Sequence, residues 1–185
     1  FSNLMQPTGI ANGVNRYEVS MTQFNQQLHR ELPATTVWGY NGSYPGPTFE
    51  VRRDQPIQVQ WTNKLSDKNG MSLPQLLPID TTLHGVTSPT GQGHEGHGQP
   101  AATDVVRTVP HLHGAIVESR SDGNPDQWFT ADPLATANGL GGPAGNSDIY
   151  NYANRQSATQ LWYHDHALGQ TRLNVYAGLA GLYFI

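Results

Sequence analysis

The sequence predicts an all-β chain, a Greek-key β-sandwich, on three observations. Short segments of alternating apolar and polar residues recur along it. Glycine and proline, 20 and 13 of 185 residues, punctuate those segments, and a single short stretch has helical character. Strands joined directly by turns, without alternating helices, suit a sandwich rather than a parallel α/β sheet. A chain of this length buries an ample core as one domain.

Each element follows from its residues. Tyr17, Val19 and Met21 alternate with Glu18 and Ser20, so residues 17–21 form a strand with one buried face. Residues 35–40 and 48–51 are β-compatible between Pro and Gly breaks. Ile57, Val59 and Trp61 alternate with Gln58 and Gln60, giving a strand over residues 57–61. Residues 108–112 and 158–163 read as strands that each deliver a histidine pair at their end, and residues 178–185 as the closing strand. A short helix is expected over residues 167–176, which are rich in good helix formers and end near Gly178. Two connections, residues 87–104 and 131–147, exceed ordinary loop length and are candidates for mobile or interfacial segments. No internal repeat is visible.

Composition excludes several functions. Charged residues make up 13% of the chain and the formal net charge is −4, which suits neither nucleic acid nor an anionic membrane surface. No apolar run approaches the ~20 residues of a membrane-spanning helix. The start at Phe1 carries no basic-then-apolar export signal, so any leader is expected to have been removed or left out. The absence of cysteine excludes zinc fingers and every thiolate site.

The chemistry lies in two pairs, His111-Leu112-His113 and His164-Asp165-His166. Residues i and i+2 of a strand project to the same face, so two such strands aim four imidazoles into one space, as a multinuclear metal site requires. A lone histidine is ordinarily a core or surface residue. Four of eight histidines in two pairs of identical spacing, beside strand-like residues, are better explained as ligands. Imidazole suits zinc, copper, iron and nickel. His94-Glu95-Gly96-His97 is one residue short of a His-Glu-X-X-His zinc helix and sits among glycines; it reads as a solvated loop, with capture of a surface copper as the alternative. His29 and His84 read as polar residues on or near strands. Trp38, Trp61 and Trp128 read as core or interface, and Trp162 and Tyr163 as aromatics packed against the metal site.

Four stretches resemble the first domain of multicopper oxidases, most closely the bacterial spore-coat laccases and bilirubin oxidases. They are Gly39-Tyr40-Asn41-Gly42-Ser43-Tyr44-Pro45-Gly46-Pro47-Thr48, Pro78-Ile79-Asp80, His111 through Trp128, and Trp162-Tyr163-His164-Asp165-His166-Ala167-Leu168 continuing to Gly181. The resemblance implies a cupredoxin-like (plastocyanin-like) sandwich, and a copper cofactor consisting of the type 2 and type 3 ions of a trinuclear cluster. It makes His111 the type 2 ligand and His113, His164 and His166 type 3 ligands. Asp122 falls where the family places an acid near the type 2 copper, which implies help with proton delivery to reduced oxygen; Asp122-Gly123 also reads as a simple turn. Asp165 lies between two ligands, points to the opposite face of an extended segment, and reads as structural.

The family pattern also contains a His-Cys-His bridge, a type 1 copper and four further cluster histidines, none of which this chain holds. Residues 1–185 are therefore expected to be the N-terminal domain of a larger laccase-like oxidase, inactive alone and completed by the C-terminal remainder. Dioxygen would be the acceptor, and the donors open to it are phenols, aromatic amines, bilirubin-like pigments and low-valent metal ions. Secretion, the periplasm and the spore coat are the expected locations. A stand-alone, non-catalytic copper-binding or carrier module is the alternative, and a structural module that retains its histidines a third.

Overall fold

The computed structural model describes residues 3–80, 106–131 and 145–185. Its strands are β1 (Gly9–Ala11), β2 (Val14–Gln26), β3 (Thr35–Tyr40), β4 (Gly46–Glu50), β5 (Ile57–Asn63), β6 (Arg107–Thr108), β7 (Pro110–His113), β8 (Phe129–Thr130), β9 (Ser147–Tyr152), β10 (Gln160–Asp165) and β11 (Ala180–Phe184). A 3₁₀ turn spans Ser119–Ser121, and helix α1 spans Thr171–Ala177.

Alternation decides which face of each strand turns inward. In β2, Tyr17, Val19 and Met21 are buried, and in β5 the inward residues are Ile57, Val59 and Trp61. These strands run parallel side by side in a sheet ordered β1-β2-β5-β9, with β3 antiparallel to the second half of β2. The second sheet is ordered β4-β11-β10-β7. In both sheets strands distant in sequence are neighbours, β2 with β5 and β4 with β11, as Greek-key connections produce and hairpins do not. The fold is an all-β sandwich with one short helix.

The core between the sheets is aromatic. Tyr40, Phe49, Trp61, Tyr163 and Tyr183 are all fully buried. Tyr163 sits at its centre, with ring centroids 4.9 Å from Tyr40, 5.5 Å from Phe49 and 5.5 Å from Trp61. Its hydroxyl donates to the Pro47 carbonyl at 2.6 Å, so burial leaves no orphaned polar group there. Gly46 and Gly181 make room for this ring: a Cβ on either would overlap Tyr163. The second sheet is thereby anchored from behind at β10, the strand that carries His164 and leads into His166.

Several expected boundaries move. β2 extends to Gln26 because β3 pairs with it from Met21 onward. The strand expected at residues 108–112 is two strands, β6 and β7, separated at Val109. The helix begins at Thr171 rather than near residue 167, because a turn through Gly169, at φ +73°, precedes it. It ends at Gly178, whose φ of 128° and close approach to the Trp38 carbonyl suit no larger residue. Strand β9, which completes the first sheet against β5, was not expected. Trp38, Trp61 and Trp128 are buried, as expected. The loop at residues 87–104, with His94 and His97, His84, and most of the loop at 131–147 lie outside the described residues.

Candidate metal centre

Strands β7 and β10 are adjacent and antiparallel, with His111 opposite His164 and His113 opposite Trp162. Directly paired residues share a face of the sheet. This register therefore puts His111, His113, His164 and Trp162 on one face, and Leu112, Tyr163 and Asp165 on the other. Burial agrees: Leu112 and Tyr163 are each 1% exposed and Asp165 is 0% exposed, whereas Trp162 is 37% exposed. A slip of one residue would exchange the two sets and bury imidazoles in the aromatic core. His166 lies just past β10, where its backbone N–H donates to the Val109 carbonyl at 2.8 Å.

The four rings form a compact group. Ring centroids are 5.5 Å apart for His111 and His113, 5.5 Å for His111 and His164, 5.4 Å for His113 and His164, 4.9 Å for His111 and His166, and 5.9 Å for His164 and His166. His111, His113 and His164 each offer a nitrogen within 4.8 Å of the others. His113 Nδ1 and His164 Nε2 are 3.1 Å apart. With metal–nitrogen bonds of ~2.0 Å, that gap subtends about 100° at a shared ion, a normal coordination angle.

Hydrogen bonds set the tautomers. His111 Nδ1 faces the Asp122 carbonyl at 2.5 Å and His164 Nδ1 faces the Asp165 carbonyl at 2.7 Å. A carbonyl only accepts, so each ring carries its proton on Nδ1 and leaves Nε2 free for a cation. Burial pushes His164 down to about 4, with the neighbouring rings adding to the effect. Burial likewise lowers His166, followed by His111 beside it. Neutral imidazoles are the form that binds metal. His166 Nδ1 is buried without a well-formed hydrogen bond, though the Gly123 backbone lies beside it. A buried nitrogen left without a good partner among three other imidazoles fits a cation.

Asp122 reaches the cluster mainly through its backbone. Its carbonyl holds His111, while its carboxylate stands 3.5 Å from the same Nδ1 and its side chain is 51% exposed. The turn expected at Asp122-Gly123 is present: Gly123, at φ +80°, presses this loop onto Pro110 and His111. The 3₁₀ turn before it is tied to β9 by Ser121, whose hydroxyl accepts the Asn151 N–H at 2.9 Å and donates to Glu118 at 2.9 Å. Trp162 stacks on His113 at 5.4 Å and lies 4.1 Å from His164. It covers the imidazoles on the open face, and Tyr163 packs behind them in the core. His29 is apart from the site, its Nδ1 accepting the Glu31 N–H in an exposed turn.

Comparison with known proteins agrees with this geometry. A multicopper oxidase family model matches residues 19–96. The chain is 45% identical over 169 residues to a laccase of Bacillus subtilis strain 168, covering 91% of this chain and 29% of that laccase. It is 40% identical over 183 residues to a laccase of Haloferax volcanii, covering 99% of this chain and 29% of the relative. The chain belongs to the multicopper oxidase family. Among solved structures, a Pediococcus acidilactici laccase superposes with a TM-score of 0.65 at 20% identity, over 99% of this chain and 28% of that one. A Campylobacter jejuni multicopper oxidase gives 0.63 at 21% identity over the same shares. These likenesses establish the cupredoxin-like fold. The chain spans less than a third of the length of the curated relatives it matches.

Copper is the metal this family implies, and the donor set fits it: clustered imidazole nitrogens with no thiolate. Sequence reasoning missed what stands behind the histidines, the buried Arg107, Asn174 and Gln170 and the half-buried Gln75 around Asp165. Its members come from three separate stretches, and no motif links them.

Proposed function

We propose that this chain is the N-terminal, plastocyanin-like domain of a laccase-like multicopper oxidase, and that it supplies half of the histidine ligands of a trinuclear copper cluster reducing dioxygen to water. The observation that carries this reading is the β7–β10 register, which gathers the His111, His113 and His164 imidazoles on one face of the sheet, with His166 beside them just past β10. His111 is assigned to the type 2 ion, and His113, His164 and His166 to the type 3 pair. Bound copper supplies one-electron redox chemistry toward dioxygen.

The chain's own residues do the rest. The Asp122 and Asp165 carbonyls fix the His111 and His164 rings, and Trp162 limits the motion of His113. The half-exposed Asp122 carboxylate beside His111 is placed to pass protons from solvent toward the cluster, as a general acid or its relay. The remainder of the protein would hold a type 1 copper, the His-Cys-His bridge and the other cluster histidines, and that copper would supply the chemistry for oxidising a phenol or another aromatic donor. Residues 1–185 alone are inactive in this reading. Secretion, the periplasm or the spore coat are the locations it fits; among the described residues no helix is long and apolar enough to cross a membrane.

Native mass spectrometry of the undissociated protein, with copper counted in the same spectrum, tests the proposal. The expected species joins these residues to a Cys-bearing polypeptide and carries a full set of coppers, which His164→Ala depletes. A ~20 kDa species with no such partner, holding one copper or none, would instead favour the stand-alone copper-binding module.

A further inference from the structure

We propose that Asp165, lying between two ligands but facing away from them, is the positioning residue that sets the spacing of the two histidine pairs. The proposal deepens the copper reading above and rests on it. Asp165 is fully buried on the core side of β10. Its carboxylate accepts three N–H groups: Val109 at 2.9 Å, Ala167 at 3.1 Å and the Asn174 side chain at 2.8 Å. Val109 lies two residues before the first ligand and Ala167 one residue after the last. One side chain thus closes the metal-binding ends of both pairs.

The local sequence shows why a side chain is needed for this. The ladder between β7 and β10 ends where Asp165 lies opposite Pro110, which has no N–H to donate. The next donor, Val109, is taken by the Asp165 carboxylate, while the Val109 carbonyl takes the N–H of His166. The two pairs are so fastened in both directions beyond the last regular pairing.

Helix α1 and the segment before β7 hold Asp165 in turn. Asn174, also fully buried, bridges the Asp165 carboxylate and the Arg107 carbonyl, each at 2.8 Å. Gln75 donates to Asn174 at 3.0 Å and to Gln170 at 3.1 Å, and Gln170 accepts the Arg107 backbone N–H at 3.0 Å. The Arg107 guanidinium, stacked 5.2 Å above Trp128, adds a favourable charge. Partners outside the ligand shell usually govern metal affinity by about 10- to 100-fold.

The test uses the complete copper-loaded protein. Asp165→Asn keeps the size but puts an amide N–H2 against N–H donors in either orientation. It is expected to weaken copper retention against a chelator at least ~10-fold, and to change the electron paramagnetic resonance spectrum of the histidine-bound copper. Val59→Ala, a buried site on β5 of the opposite sheet, serves as the control for destabilisation and should leave retention and spectrum as in the parent. Should Asp165→Asn fail to fold, Asn174→Ala reads the same effect, with weaker retention and an altered spectrum expected. Parent-like affinity and spectrum in the folded Asp165 or Asn174 variant would overturn the proposal, as would equal copper loss from Val59→Ala at an equal drop in melting temperature. If the parent protein's copper is unaffected by His164→Ala and His166→Ala, the copper reading itself has failed, a result distinct from the failure of Asp165.

Discussion

His111 is oriented by the backbone of Asp122, and this separates two contributions of one residue. Asp122→Asn leaves the carbonyl that accepts from His111 Nδ1 and removes only the carboxylate 3.5 Å away. We expect that variant of the complete enzyme to keep its copper while oxygen reduction slows on the order of 100-fold, the usual contribution of a positioned proton donor. Metal analysis and oxygen-electrode rates measure the two effects independently, and an unchanged rate would remove Asp122 from proton delivery. Gly123 carries the complementary prediction. Its φ of +80° disfavours any side chain, and a Cβ there would strike the Pro110 carbonyl. Gly123→Ala should cost about 2–3 kcal/mol in urea unfolding and move the Asp122 carbonyl off His111. A variant as stable as the parent would show that the loop is free to relax.

At the scale of elements, the site depends on β10 being held flat against the core. Gly181 on β11 lies opposite Tyr163, and a Cβ at position 181 would occupy the space of that ring. Gly181→Ala should therefore destabilise by about 3 kcal/mol through overpacking, seen as a lower urea midpoint, whereas Ala180→Gly, on the same strand but half-buried, should cost about 1 kcal/mol. Equal losses would mean that Tyr163 moves aside without penalty. The same packing explains what was legible in the sequence. β2 and β5 show their alternation because one face of each is buried and the other is not. The clustering of the pairs at His111 and His164 was legible because i, i+2 residues of a strand share a face. β9 was not recognised: only Tyr150 and Tyr152 are buried in it, directly after a Gly- and Asn-rich stretch, and its pairing with β5 is a long-range fact. The interlock of Asp165, Asn174 and Arg107 was illegible for the same reason. Asn174 sits in a helix of seven residues, and nothing local marks its side chain as the donor that meets a carboxylate nine positions earlier.

For the whole molecule, the decisive property is that the cluster is open. Its imidazoles lie on the edge strand β7 and at the adjoining end of β10, and His113 and Trp162 are exposed. In the proposed cluster, four nitrogens shared among three ions would leave each short of the usual coordination, so such a half-site would bind weakly until another domain completed it. Residues 1–185 expressed alone should thus fold but retain about one copper or less per chain after dialysis against a mild chelator, and should consume no oxygen with a phenolic donor. Copper should raise the melting temperature of the complete protein far more than that of the isolated chain, because ligand-linked stability scales with occupancy. Calorimetry with and without copper, run on both proteins, makes the comparison. Tight binding of several coppers by residues 1–185, with a matching rise in melting temperature, would show the four histidines to be a complete site and would favour the stand-alone copper-binding module.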